Sequence, residues 1–189
     1  MTAPAGRHPA KGAARAAGPA RPALAGDRRA ALKLLLRILV GWALATGVLS
    51  LFPGIDRWAV ASTVASVATT LRVMSFAPTV DGSTILLAGG ALRIIPECTP
   101  LMPILLLAIA MASYPAPPAW KLAGVAAGAL ALWAYNVVRM LALMATLVWW
   151  PRSFKFIHVY LWQTVTLLVI CALFMLWLGL LDRRGRATS

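Results

Sequence analysis

Residues 94–107, IIPECTPLMPILLL, pass from a short polar turn directly into an apolar run. If that run crosses a bilayer, the chain is a membrane bundle, and the glutamate, cysteine and threonine ahead of it lie at a membrane face. Composition supports that reading. Of 189 residues, 61% are hydrophobic and 12% charged, with a mean hydropathy of +0.81. Soluble domains carry about 25% charged residues. Here several apolar runs approach the roughly 18 to 20 residues that span a bilayer. The segment reads as a span, and the chain as an integral membrane protein.

On the N-terminal side of this stretch, a first span is expected over about 34–52, with Lys33 and Arg37 at its inner edge. DRWAVASTVASVATTLRVMSF follows. Val60, Val64, Val67, Leu71 and Met74 form one stripe, with Ser62, Thr63, Ser66, Thr69 and Thr70 on the other side. That pattern predicts an amphipathic helix in the interface or on the bundle rim. In TVDGSTILLAGGALRII, Asp-Gly and Gly-Gly turn signals flank short β-prone runs, predicting a small hairpin. On the C-terminal side, the quoted segment extends as a span over 99–114 and is followed by the loop YPAPPAWK. Further spans are expected over about 119–138 and 158–181, with 141–150 lying along the outer surface and stopped by Pro151. The predicted fold is an all-α membrane protein: a bundle of about four transmembrane helices, an outer amphipathic helix and a small β-hairpin.

Residues 1–30 are rich in Ala, Pro, Gly and Arg without apolar periodicity, so they are expected to form a disordered basic cytoplasmic tail. A signal peptide fits poorly, because the basic region is long and Pro-rich and no clear cleavage site follows the apolar run. Residues 31–186 form the membrane domain. The net charge of +13 does not point to nucleic acid. The cations flank apolar segments, as the positive-inside rule and attraction to anionic lipid require. Their distribution places both termini in the cytoplasm. Two cysteines make no disulfide framework.

Depth follows from a helical rise of about 1.5 Å per residue. Cys98 precedes Tyr114 by 16 residues, about 24 Å; Arg139 follows Lys121 by 18, about 27 Å; His158 precedes Leu181 by 23, about 35 Å. Against a hydrocarbon core of about 30 Å, all three reach the outer interface on different helices. Each has a plainer role when taken alone: a packing cysteine, a snorkelling arginine, an interfacial histidine. Their convergence favours chemistry. Asn136 and Arg139 share a helical face, and an arginine among apolar neighbours must face the bundle or a polar cavity. Cys171, at mid-span, has no expected role.

Thiol, imidazole and guanidinium are the parts of thiol acyl transfer. Cys98 is the expected nucleophile, beside a helix start where Thr99 would cap and Pro100 would occupy the first turn. His158 would move the proton, and Arg139 would stabilise the oxyanion with Asn136 beside it. Asn136 and Glu97 are the candidate substrate-binding residues. Glu97 is either an orienting carboxylate for His158 or Arg139 or a plain surface residue. No metal-ligand spacing and no phosphate loop appear, so no metal or cofactor is expected.

ECTPL before one span, NVVRM at the outer end of the next and FIHVYLWQ opening the last resemble the exosortase/archaeosortase family, and most of all the exosortase H group. The resemblance spans 31–181 in layout and 80–162 in motifs. It implies a multi-pass cysteine protease or transpeptidase of the bacterial inner membrane, with Cys98, Arg139 and His158 catalytic and facing the periplasm or exterior. It also implies protein substrates whose C-terminal signal is a short motif, a membrane helix and a basic cluster, cleaved through a Cys-thioester. Pro100 stands where the family usually has glycine. That departure gives weight to an alternative, a non-catalytic membrane subunit assisting export or surface assembly.

Overall fold

Long apolar runs without internal polar partners must close their backbone hydrogen bonds within the segment, and helix is the way to do it. The computed structural model describes residues 28–87 and 89–187. The expected tail, residues 1–27 of it, lies outside the described residues. Six helices and one small sheet are seen: α1 (Arg28–Ser50), α2 (Pro53–Val73), α3 (Leu101–Ser113), α4 (Pro118–Trp149), the single turn α5 (Phe154–Phe156) and α6 (Trp162–Ala187), with β1 (Thr79–Asp81), β2 (Thr84–Leu87) and β3 (Gly90–Arg93) between α2 and α3.

Among the described residues, three helical stretches are long and apolar enough to cross a membrane: Ala31–Ser50, Pro118–Trp149 and Pro151–Arg184. α3 has 13 residues, a rise of about 20 Å, so it falls short of a full crossing by length. The expected surface segment over 141–150 is instead the last third of α4, an unbroken helix of 32 residues. Its rise of about 48 Å exceeds a hydrocarbon core of about 30 Å. The continuation is stable because Met140, Leu143, Met144 and Thr146 bury one face under α2 and the sheet.

The apolar stripe of α2 behaves largely as the pattern requires: Val64, Val67 and Leu71 are buried and Val60 packs against them. Met74 departs from it, exposed at the helix end, while Thr63 is buried with its hydroxyl donating to the Ala59 carbonyl at 2.8 Å. The expected hairpin is a three-stranded antiparallel meander in the order β1-β2-β3. Gly82 (φ 54°) and Gly89 (φ 81°) take left-handed backbone in its two turns, a conformation glycine adopts without a Cβ clash.

Two apolar cores result. One joins α2, the sheet and the C-terminal half of α4 around Ile85, Ile94, Cys98 and Met140. The other joins α3, α4 and α6 around Leu107, Met111, Leu132 and Trp177. In the second, glycines let the helices approach closely. A Cβ at Gly128 would stand 2.5 Å from Leu107 Cδ2, and one at Gly124 would collide with the Trp177 indole. The Gly124–Gly128 spacing is the small-xxx-small arrangement of close membrane-helix contacts. At this end the Trp177 Nε1–H donates to the Trp120 carbonyl at 3.1 Å, and the Arg184 guanidinium lies 5.0 Å from the Trp120 ring centroid.

Candidate functional site

After β3, the chain leaves the sheet and makes a 3-10 turn, Pro96–Cys98, before α3 begins. Proline at the turn's start fixes one backbone angle. The Cys98 N–H donates to the Ile95 carbonyl at 2.8 Å, and the Thr99 N–H to the Pro96 carbonyl at 3.1 Å. Thr99 does not cap α3 as the sequence suggests. Its hydroxyl donates back to the Pro96 carbonyl at 2.7 Å, and Pro100 occupies the N-cap. The physical reason is competition: the 3-10 turn offers the hydroxyl a nearer acceptor than the next helix offers donors. Backbone φ is −88° at Thr99 and −78° at Pro100, so the chain after Cys98 needs no left-handed residue there.

Cys98 is 4% exposed, inside the core formed by α2, the sheet and α4. Its carbonyl is held by Asn136, whose Nδ2 donates at 3.0 Å across 38 residues of sequence. Asn136, Arg139, Met140 and Leu143 form the buried stripe of α4 at this level. Arg139 is 5% exposed, with Cys98 and Tyr135 in its electrostatic neighbourhood. Among the described residues no carboxylate forms an ion pair with it, and its Nε has no hydrogen-bond partner. His158 is half-buried, stacks on Phe154 with ring centroids 5.6 Å apart, and feels the Arg139 charge. Its Nδ1 is buried without a partner.

His158 lies within a π-helical turn, Ile157–Leu161, that leads into α6. Such turns insert one extra residue and re-aim side chains, and they recur at functional sites. The turn before α3 that carries Cys98, α4 that carries Arg139 and the turn before α6 that carries His158 pack around one apolar cluster; among the described residues no hydrogen bond joins the thiol to the imidazole. Glu97 does not join them; it is exposed, and the electrostatic neighbours of Arg139 are Cys98 and Tyr135 instead.

Two residues at the site escape the sequence reading. Tyr135 shares a 3.0 Å hydrogen bond with the Thr166 hydroxyl and stands beside Arg139. Trp162 meets the Tyr135 ring edge-on at 6.0 Å, and its Nε1 is buried and unpartnered. The available signals were Tyr135 immediately before Asn136 and the aromatic run after His158.

Two openings lie on neighbouring elements, neither of them lined by Cys98, Arg139 or His158. An open cleft of about 330 Å³ runs between α2, the β1–β2 turn and the strand exit, with Arg57, Arg93 and Pro96 among its lining. A groove of about 410 Å³ lies between α1, α3 and α6, lined by Trp42, Met102, Leu106, Gln163 and Thr166 among others.

The Asn136 bond gives a first expectation. Asn136→Leu leaves the buried Cys98 carbonyl without its donor and should cost about 1–3 kcal/mol, read as a lower melting temperature of the purified protein. An unchanged melt would mean that the contact carries no weight.

Comparison with protein families, with curated proteins and with solved structures returns no match.

Proposed function

We propose that the chain is a multi-pass membrane cysteine peptidase or transpeptidase of the exosortase type, cleaving C-terminal sorting signals of exported proteins. α3 together with its flanking turns makes a fourth crossing, both termini lie in the cytoplasm, and the Cys98 cluster faces the periplasm or exterior. The observation that carries this reading is the buried, unpaired Arg139 beside the Cys98 thiol, with His158 in range of its charge. A buried cation with no carboxylate partner is costly. A thiolate, or an oxyanion formed next to it, supplies the missing charge.

In this mechanism the Cys98 thiol gives its proton towards His158, and the sulfur attacks the scissile carbonyl carbon. The carbonyl oxygen takes negative charge. The N–H groups of Cys98 and Thr99 are already engaged, so stabilisation falls to Arg139. Collapse expels the amine, which takes the proton from His158 and leaves a thioester for water or an acceptor amine. The lateral groove reaches Met102, four residues beyond Cys98, and suits the membrane helix of such a substrate. A helix already confined to the bilayer loses less freedom on docking. Pro100 does not disfavour catalysis here, since its backbone angles are ordinary ones.

The test is alkylation by a membrane-permeant reagent such as iodoacetamide. Cys98 is 4% exposed and Cys171 is exposed to the surroundings. Accessibility alone would make Cys171 react first. An activated Cys98 should label at least about ten-fold faster than it does in denatured protein, and ahead of Cys171. Labelling in the order of exposure would remove the catalytic reading and favour the non-catalytic subunit.

A further inference from the structure

Among the described residues, three buried side-chain nitrogens lack a hydrogen-bond partner: Arg139 Nε, His158 Nδ1 and Trp162 Nε1. Two belong to residues already placed in the reaction. The third has no role yet. Buried indole N–H groups ordinarily find an acceptor, and two others in this chain do so: Trp133 donates to the Ser66 hydroxyl at 3.2 Å and Trp177 to the Trp120 carbonyl at 3.1 Å.

Trp162 packs among the residues of the same region. It lies four residues after His158, across the π-helical turn Ile157–Leu161, whose wider i→i+5 winding brings positions four and five apart onto one face. Its ring meets Tyr135, which stands about one helical turn before Arg139 on α4. It also packs against the apolar cluster that contains Cys98 and Met140. Meanwhile the backbone donors flanking the thiol are committed to Ile95 and Pro96. An acyl oxygen at Cys98 needs donors from side chains, and an unspent one stands against the Tyr135 ring and the cluster that contains Cys98.

We propose that the Trp162 Nε1–H, together with Arg139, binds the acyl oxygen of an ester or amide under attack by Cys98. This rests on the acyl-transfer reading above. As the sulfur–carbon bond forms, the carbonyl π pair moves onto oxygen, which then accepts from the indole N–H and the guanidinium. When the pair returns, the bond to the leaving group breaks and a thioester remains. Trp162 donates a hydrogen bond throughout and gives up no proton.

Two reagents separate this role from a structural one. p-Nitrophenyl acetate acylates a thiol through a tetrahedral oxyanion and releases p-nitrophenolate. Iodoacetamide alkylates it by direct displacement of iodide, with no oxyanion. The full chain carrying Cys171→Ser reports Cys98 alone. Trp162→Phe should slow acylation about 10- to 100-fold and leave alkylation within about two-fold. Benzothienylalanine at position 162 keeps the indole shape without the N–H and should reproduce that split, even if the phenylalanine variant folds poorly. Unchanged acylation, or equal losses with both reagents, would overturn the proposal while rapid alkylation of Cys98 left the catalytic reading standing. If Cys98 in the unsubstituted site alkylates no faster than in denatured protein, the catalytic reading falls, and this inference with it.

Discussion

Cys98→Ala is expected to abolish processing of a co-expressed protein that carries a C-terminal motif, membrane helix and basic cluster, so that only the full-length precursor accumulates. The substitution removes a single buried sulfur from a core of Val, Leu, Ile and Met side chains. Its cost to folding should be about 1–2 kcal/mol, the scale of a small buried group plus the void it leaves. Expression and membrane insertion should therefore persist while product disappears, which separates loss of chemistry from loss of protein. Cys171→Ser should process normally, since Cys171 is outside both apolar cores. Processed product from the Cys98→Ala protein would end the nucleophile assignment.

Arg139→Met is expected to do two opposite things. Methionine fills a comparable volume without charge, so acyl transfer should fall by about 100-fold or more through loss of an oxyanion donor. Stability should rise. Arg139 is 5% exposed, its Nε is unpartnered, and no described carboxylate balances it. Replacing buried ionic groups with apolar side chains of similar size is neutral or stabilising by about 1–4 kcal/mol, and an unpaired cation has more to gain than a paired one. A higher melting temperature together with lost activity is the signature of a charge kept for function. An arginine that merely snorkels to headgroups would show neither change, because its charge would already be solvated.

The parts of this architecture legible in the sequence are those governed by periodicity and turn chemistry. The 3.6-residue stripe of α2, from Val60 to Leu71, marks its buried face directly. The Asp-Gly and Gly-Gly signals mark both turns of the sheet through Gly82 and Gly89. The third strand was hidden because β1, Thr79–Asp81, is only three residues long, too short for alternation to register. Depth counting predicts Cys98, Arg139 and His158 at one level, and the elements that carry them pack around one apolar cluster. The C-terminal third of α4 departs from the expectation because a crossing length of about 20 residues is not itself a stop signal. Nothing in the sequence between Arg139 and Trp149 breaks a helix, and α2 with the sheet covers its apolar face. The π-helical turn at His158 could not be read locally, since no residue type encodes it. Trp162 was missed for the same reason: its alignment with His158 depends on that turn.

The arrangement stands or falls on whether thiol, guanidinium and imidazole act as one group. The most direct measurement is the rate of Cys98 alkylation in Arg139→Met and in His158→Gln, with Cys171→Ser in every protein. Each substitution should slow the reaction at least about ten-fold, because a thiolate loses either its counter-charge or its proton acceptor. Rates indistinguishable from the parent in both variants would mean that Cys98 reacts alone and that the cluster is a matter of packing.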